Sequence, residues 1–214
     1  MKLVRKASTI SLLGFGFWLL IVAIGSSLVV RYANTAGAVG TPPAEWPGES
    51  SITRTPGKPI LLVMIHPQCP CSRASINELA RLMVSVQGRV SAKVVFIRPQ
   101  GQAEDWVKTD LWASAAIIPG VDVSIDDEGV EANRFASKTS GQVMLYGGNG
   151  RLMFSGGITA ARGHSGDNAG SSAIVALLTT NDSGIDHTSI FGCPLLQRDS
   201  EASSADSCTA NHGK

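Results

Sequence analysis

The chain has 214 residues, with 18 lysines and arginines against 17 aspartates and glutamates and a formal net charge of +1. So even a balance builds no field able to hold a phosphate backbone, which excludes nucleic acid as a partner on charge. Once an N-terminal segment is set aside, the length leaves room for one ordinary domain with its own core. Four cysteines are too few for a disulfide-built scaffold. Two of them, Cys69 and Cys71, sit one residue apart, where a staple would constrain almost no chain and where chemistry is the better reading.

From Ala7 to Val30 there is no charged residue, and the run contains Phe15, Phe17 and Trp18 among leucines, isoleucines and valines. About 20 such residues cross a hydrocarbon layer of about 30 Å as a helix. Lys2, Arg5 and Lys6 precede the run and Arg31 alone follows it closely, so the positive-inside rule predicts a single-pass anchor, residues 1–33, with a cytoplasmic N-terminus. The rest of the chain is then expected in the periplasm or outside the cell, in an oxidising compartment. The alternative is a signal peptide cut at the small-x-small site Ala36-Gly37-Ala38, but such peptides have apolar cores of about 7 to 15 residues.

Residues 34–57, rich in Gly, Pro, Ser and Thr, read as a linker. The continuous apolar run 59–65 predicts a central strand buried on both faces. Ile76, Leu79, Leu82, Met83 and Val86 predict an amphipathic helix over 72–87. Val90 to Ile97 predicts a second strand, 103–118 a helix, 121–125 a short strand, and Asp126 or Asp127 the cap of a brief helix reaching Phe135. Gln142–Tyr146 and Arg151–Ser155, joined by Gly147-Gly148-Asn149-Gly150, predict an antiparallel hairpin. A last helix is expected over 166–180. The residues from 193 to 214 read as a polar tail of little order, in which Cys193 and Cys208 could pair with each other or answer the first two cysteines.

Parallel βαβ units, then a hairpin and a terminal helix, make an α/β chain with a mixed central sheet flanked by helices over 58–192. With Ile65-His66-Pro67-Gln68-Cys69-Pro70-Cys71-Ser72 after the buried strand, this resembles the thioredoxin-like superfamily. Together with Leu152–Thr159, Arg162-Gly163-His164 and Phe191-Gly192-Cys193-Pro194, it is similar to the membrane-anchored thioredoxin-like proteins labelled RedB. The resemblance implies a thioredoxin-like fold behind an N-terminal transmembrane helix, a thiol site at Cys69 and Cys71, and protein thiols or disulfides as partners.

Two departures from that pattern matter. The spacing is CxC rather than CxxC, so either Cys69 takes the first cysteine position with Ser72 in the second, or Cys71 takes the second with Gln68 in the first. The loop before the hairpin reads Thr139-Ser140-Gly141, without the cis-proline such proteins usually carry, so Gly141 stands close to where that proline would be.

A cysteine at a helix N-terminus feels the partial positive charge of unpaired N–H groups and becomes a better thiolate, so at least one of Cys69 and Cys71 is expected to be accessible and activated. Pro70 suits a first helical turn because its missing N–H had no partner there, and Arg73 offers further positive charge. A disulfide across one residue is a tight, strained ring, easily reduced and therefore oxidising. The leading expectation is an extracytoplasmic, membrane-anchored thiol–disulfide oxidoreductase in which Cys69 attacks and Cys71 resolves, with His66, Ser72, His164 and Cys193 as auxiliary candidates and no cofactor. The alternative is a non-enzymatic copper or zinc chaperone holding a thiophilic ion with Cys69, Cys71 and His164.

Overall fold

The computed structural model describes residues 2–196, with side chains from residue 12 onward. The chain divides into a helical unit ending at Thr35 and a compact unit beginning at Ala36. Helix α1, Lys2–Ala33, forms the first. Its segment Leu12–Ala33 has a mean hydropathy of 2.2 and none of it is buried. At about 1.5 Å per residue it is long and apolar enough to cross a membrane.

The second unit is built on a five-stranded sheet of order β3-β2-β1-β4-β5. Its strands are β1 (Ile60–Ile65), β2 (Ser91–Arg98), β3 (Val121–Asp127), β4 (Gln142–Tyr146) and β5 (Leu152–Gly156). β1 pairs parallel with β2 and antiparallel with β4, β2 pairs parallel with β3, and β4 and β5 form the hairpin. Every residue of β1 is buried, as its unbroken apolar run requires.

The period-two alternation of β1 divides the core. Leu61, Val63 and Ile65 face a cluster completed by α2 (Ser72–Ser85), α4 (Asp110–Ala116) and α6 (Ala169–Thr179). Ile60, Leu62 and Met64 face the other cluster, completed by Phe135 and by Ala132 of α5 (Val130–Arg134). Helices α2 and α6 on one face, α5 on the other and a mixed sheet between them make a thioredoxin-like fold. The segment from α3 (Glu104–Val107) through α4 to β3 is an insertion that adds a fifth, parallel strand beyond β2.

Three expectations are corrected. The helix expected over 103–118 is two helices, because Thr109 takes an extended conformation (φ −78°, ψ −179°) as the N-cap of α4. The expected linker belongs to the domain from Ala36 onward. Trp46 stacks edge-on against Phe135 and Tyr146 at 4.9 and 5.1 Å, and the Tyr146 hydroxyl donates to Pro43 O at 3.0 Å. Ser50 and Ser51 donate to the buried Glu131 carboxylate. This segment closes the sheet face that the one-and-a-half-turn α5 is too short to cover. Nor does the domain stop at 192. Pro194 bridges Thr139, Leu195 N–H donates to Lys138 O at 2.9 Å, and Leu195 is buried. Cys208 lies outside the described residues.

If 36–52 is structural, Trp46→Ala removes an aromatic lid from Phe135 and Tyr146. Urea unfolding of the Trp46→Ala chain is expected to show a loss of about 2 kcal/mol, less than for a fully buried tryptophan because Trp46 is only half-buried. An unchanged midpoint would return the segment to the status of a linker.

Candidate functional site

β1 delivers the chain to His66, and a turn carries it into α2. Cys69 N–H donates to His66 O at 3.0 Å, Ser72 N–H to Cys69 O at 3.1 Å and Ala74 N–H to Cys71 O at 3.2 Å. Cys71 is the N-cap of the 14-residue helix, with helical φ −67° and ψ −25°. Cys69 and Cys71 therefore stand at the positive end of α2, and Pro70 between them gives up an N–H that had no partner.

The loop before β4 locks this turn in place. Gly141 adopts φ +89° and donates its N–H to Met64 O at 2.8 Å; a Cβ there would lie 2.8 Å from Ser75 Oγ. Its left-handed backbone and the close approach both require glycine. Ser140 beside it is a hub. Its Oγ accepts from His66 N–H at 2.7 Å and lies 2.7 Å from Ser72 Oγ, while its own N–H donates to Cys193 O at 2.8 Å.

The third sulfur arrives on the chain after α6. Arg162 Nη1 donates to Gly192 O at 2.6 Å, and Gly192 sits so close to Ser140 O that a Cβ would lie 1.9 Å from it. Cys193 N–H then donates to Cys69 Sγ at 3.4 Å. The sulfurs of Cys69, Cys71 and Cys193 all lie within 4.8 Å of one another, the one group of metal-ligating side chains gathered this closely among the described residues.

Burial pushes the Cys69 thiol up, but the Cys193 thiol, the Ser72 hydroxyl and the main-chain N–H groups of Cys193 and Cys71 all donate to its sulfur and leave its pKa below the ordinary thiol value. With the Ser72 proton spent on Cys69, Ser140 must donate to Ser72 while accepting from His66 N–H. The donors then line up from His66 N–H through two hydroxyls onto one sulfur, each polarising the next. Burial, and then the Cys69 charge, raise Cys71, against a hydrogen bond and an attraction from Arg162 that lower it. Burial, the hydrogen bond to Cys69 and its charge push Cys193 up to about 12. Of the three sulfurs, Cys69 is therefore the one that ionises most readily.

The other candidates fall as follows. His66 is half-buried, packs edge-on to Trp106 at 5.5 Å and accepts at Nδ1 from Gln68 N–H at 3.2 Å; burial lowers its pKa and favours the neutral ring. Arg73 pairs with Asp110 at the surface. His164 is exposed and is not gathered with the sulfurs. The cationic group beside Cys71 comes from the same loop but is Arg162. Ser140 and Arg162 are the site residues that spacing did not reveal: Ser140 had only its place before β4 to mark it, and nothing local separates Arg162 from His164 two residues on.

An accessible cysteine was also expected, and this is corrected. Cys69 is 1 % exposed and Cys71 8 %, because the 192–195 segment covers the turn. A cleft of about 190 Å³ lined by Gln68, Pro70, Arg73, Thr109 and Asp110 still reaches Cys69.

No protein-family model matches the chain, and no curated protein matches it. Among solved structures it is similar to a hypothetical protein from Sinorhizobium meliloti, with 16% identity and a TM-score of 0.56 over 77% of this chain and 96% of the other. An uncharacterized conserved protein from Geobacillus kaustophilus follows, with 15% identity and a TM-score of 0.55 over 78% and 94%. An exposed lipoprotein thioredoxin from Streptococcus pneumoniae shows 16% identity and a TM-score of 0.41 over 58% and 85%. The first two likenesses bear on the fold.

The hydroxyl chain makes Cys69 reactivity depend on Ser72. A hydrogen bond to a charged group is worth about 1.5 kcal/mol or more, roughly a tenfold change in thiolate population. Ser72→Ala is expected to raise the Cys69 pKa and slow its alkylation by iodoacetamide at neutral pH by roughly that factor, read by peptide mass spectrometry across pH. Ser140→Ala should move the profile the same way by less, since it acts through Ser72.

Proposed function

We propose that the chain is a membrane-anchored thiol–disulfide oxidoreductase, working outside the cytoplasm on protein thiols or disulfides, with Cys69 of the Cys69-Pro70-Cys71 turn as nucleophile. The observation that carries the reading is the gathering of the Cys69, Cys71 and Cys193 sulfurs within 4.8 Å at the start of α2, with Cys193 N–H donating to Cys69 Sγ at 3.4 Å and Cys69 the one thiol of the three whose pKa is lowered. Exchange needs those elements: an anionic sulfur to attack, and a neighbouring thiol to release the mixed disulfide. The thioredoxin-like fold and the RedB-like pattern of the sequence agree with it, and α1 is suited to act as the tether. Lys2, Arg5 and Lys6 ahead of the apolar run favour the orientation with the domain outside.

A second reading, storage or transfer of a thiophilic ion such as Cu(I) or Zn(II), is favoured by the same three sulfurs. The ligands would then be Cys69, Cys71 and Cys193, with Cys193 in place of His164.

Full-length protein in detergent separates the two. Under the redox reading, Cys69→Ser lowers exchange with a disulfide-bonded peptide by about a hundredfold or more, and metal-free protein is fully active. Stoichiometric Cu(I) or Zn(II) binding that needs all three cysteines, with exchange no faster than that of a free thiol, would instead establish the metal reading.

A further inference from the structure

Building on the redox reading, we infer that Cys193 rather than Cys71 is the disulfide partner of Cys69, so that oxidation bonds the 192–195 segment covalently across the mouth of the site. Distance alone does not choose, since all three sulfurs are mutually within 4.8 Å. The backbone does. Residues 69–74 are wound by the Ser72 N–H to Cys69 O and Ala74 N–H to Cys71 O bonds, and Cys71 is already helical. The Cys69 and Cys71 side chains touch, but a bond across one intervening residue closes a tight, strained ring. Joining Cys69 to Cys71 means opening the first turn of α2 and losing those bonds.

Cys193 has no such obstacle, because it approaches from a different part of the chain with its main chain already fixed on both sides. Arg162 holds Gly192 O, Ser140 N–H holds Cys193 O, Pro194 bridges Thr139, and Leu195 N–H reaches Lys138 O. Its N–H and its thiol both point at Cys69 Sγ. A cysteine-bearing segment paired by main-chain hydrogen bonds beside a nucleophilic sulfur is posed as a bound substrate would be.

The electrons then balance within this chain and its substrate. The Cys69 thiolate attacks one sulfur of a substrate disulfide, forming a mixed disulfide and expelling the first substrate thiolate. Cys193 gives its proton to the departing thiolate, which leaves as a thiol, and attacks Cys69 Sγ, breaking the mixed disulfide and releasing the second thiolate. Two electrons have passed from Cys69 and Cys193 to the substrate, and an external protein dithiol reverses the sequence. Cys71 stays reduced, a thiol held beside Arg162.

The test uses full-length protein carrying Cys208→Ser, oxidised with glutathione disulfide, alkylated, digested and mapped by mass spectrometry. A Cys69–Cys193 cross-link with Cys71 alkylated is expected, both in this background and with Cys71→Ser added. With Cys193→Ser added, the mixed disulfide with glutathione at Cys69 should persist about tenfold longer or more, while circular dichroism and the melting profile stay unchanged. A Cys69–Cys71 or Cys71–Cys193 cross-link with normal exchange overturns the inference and leaves the redox reading standing. No cross-link, together with exchange that survives Cys69→Ser, overturns both.

Discussion

A sulfur anion taken out of water must be met by donors, and most of this site follows from that requirement. Cys69 is almost fully buried and still held below the ordinary thiol pKa, which is possible only because hydrogen bonds to the charged form outweigh the cost of burial. The helix start supplies Cys71 N–H and the Ser72 hydroxyl, but the remaining donors come from Cys193, 124 residues away. Three stretches of chain must therefore meet: the turn after β1, the loop before β4 and the segment after α6. Ser140 touches all three, which explains why a serine with no chemistry of its own sits at the junction.

The same requirement orders the fold around the site. β1 is central and buried on both faces, so its last residue leaves the sheet at a fixed point; β4 lies next to it, so the loop before β4 emerges at the same end. Gly141 lets that loop turn tightly enough to press Ser140 against Ser72. Gly192 lets the third segment lie against Ser140 without a side chain between them. Both glycines serve close approach, and both lie where a donor must be brought to the sulfur.

What could be read from the sequence divides along the range of the contacts involved. β1, α2 and the β4–β5 hairpin carry a local signature, an unbroken apolar run, a 3.6-residue period and a glycine-rich turn, and each forms within a few residues of where it was expected. The cysteine pair at a strand-to-helix junction was legible for the same reason. The segment 36–52 was not, because its contribution rests on a few isolated residues such as Trp46 and Ile52, and isolated apolar residues have no period. Cys193 read as part of a tail because Ser, Asp and Glu dominate the residues after it, whereas its order comes from Lys138, Thr139 and Ser140. Arg162 and His164 were indistinguishable in type and position, and only the fold of the loop turns one toward the sulfurs and the other to solvent.

The charge state of the three sulfurs also bears on which chemistry the arrangement suits. Each sulfur raises the cost of ionising its neighbours: the Cys69 charge pushes Cys71 and Cys193 up, and Arg162 offsets only part of that. A thiophilic cation could reverse the balance by supplying its own charge, since thiolates rather than thiols are its ligands. Without such an ion, Cys69 ionises before its two neighbours, and one thiolate beside two thiols is the reactant state for exchange. Attack by Cys69 discharges the anion that opposed ionisation of its neighbours, so the first step of exchange prepares the second thiol for its own. The metal reading needs an outside charge to ionise all three sulfurs, whereas the redox reading needs only the one ionisation that the hydrogen bonds favour.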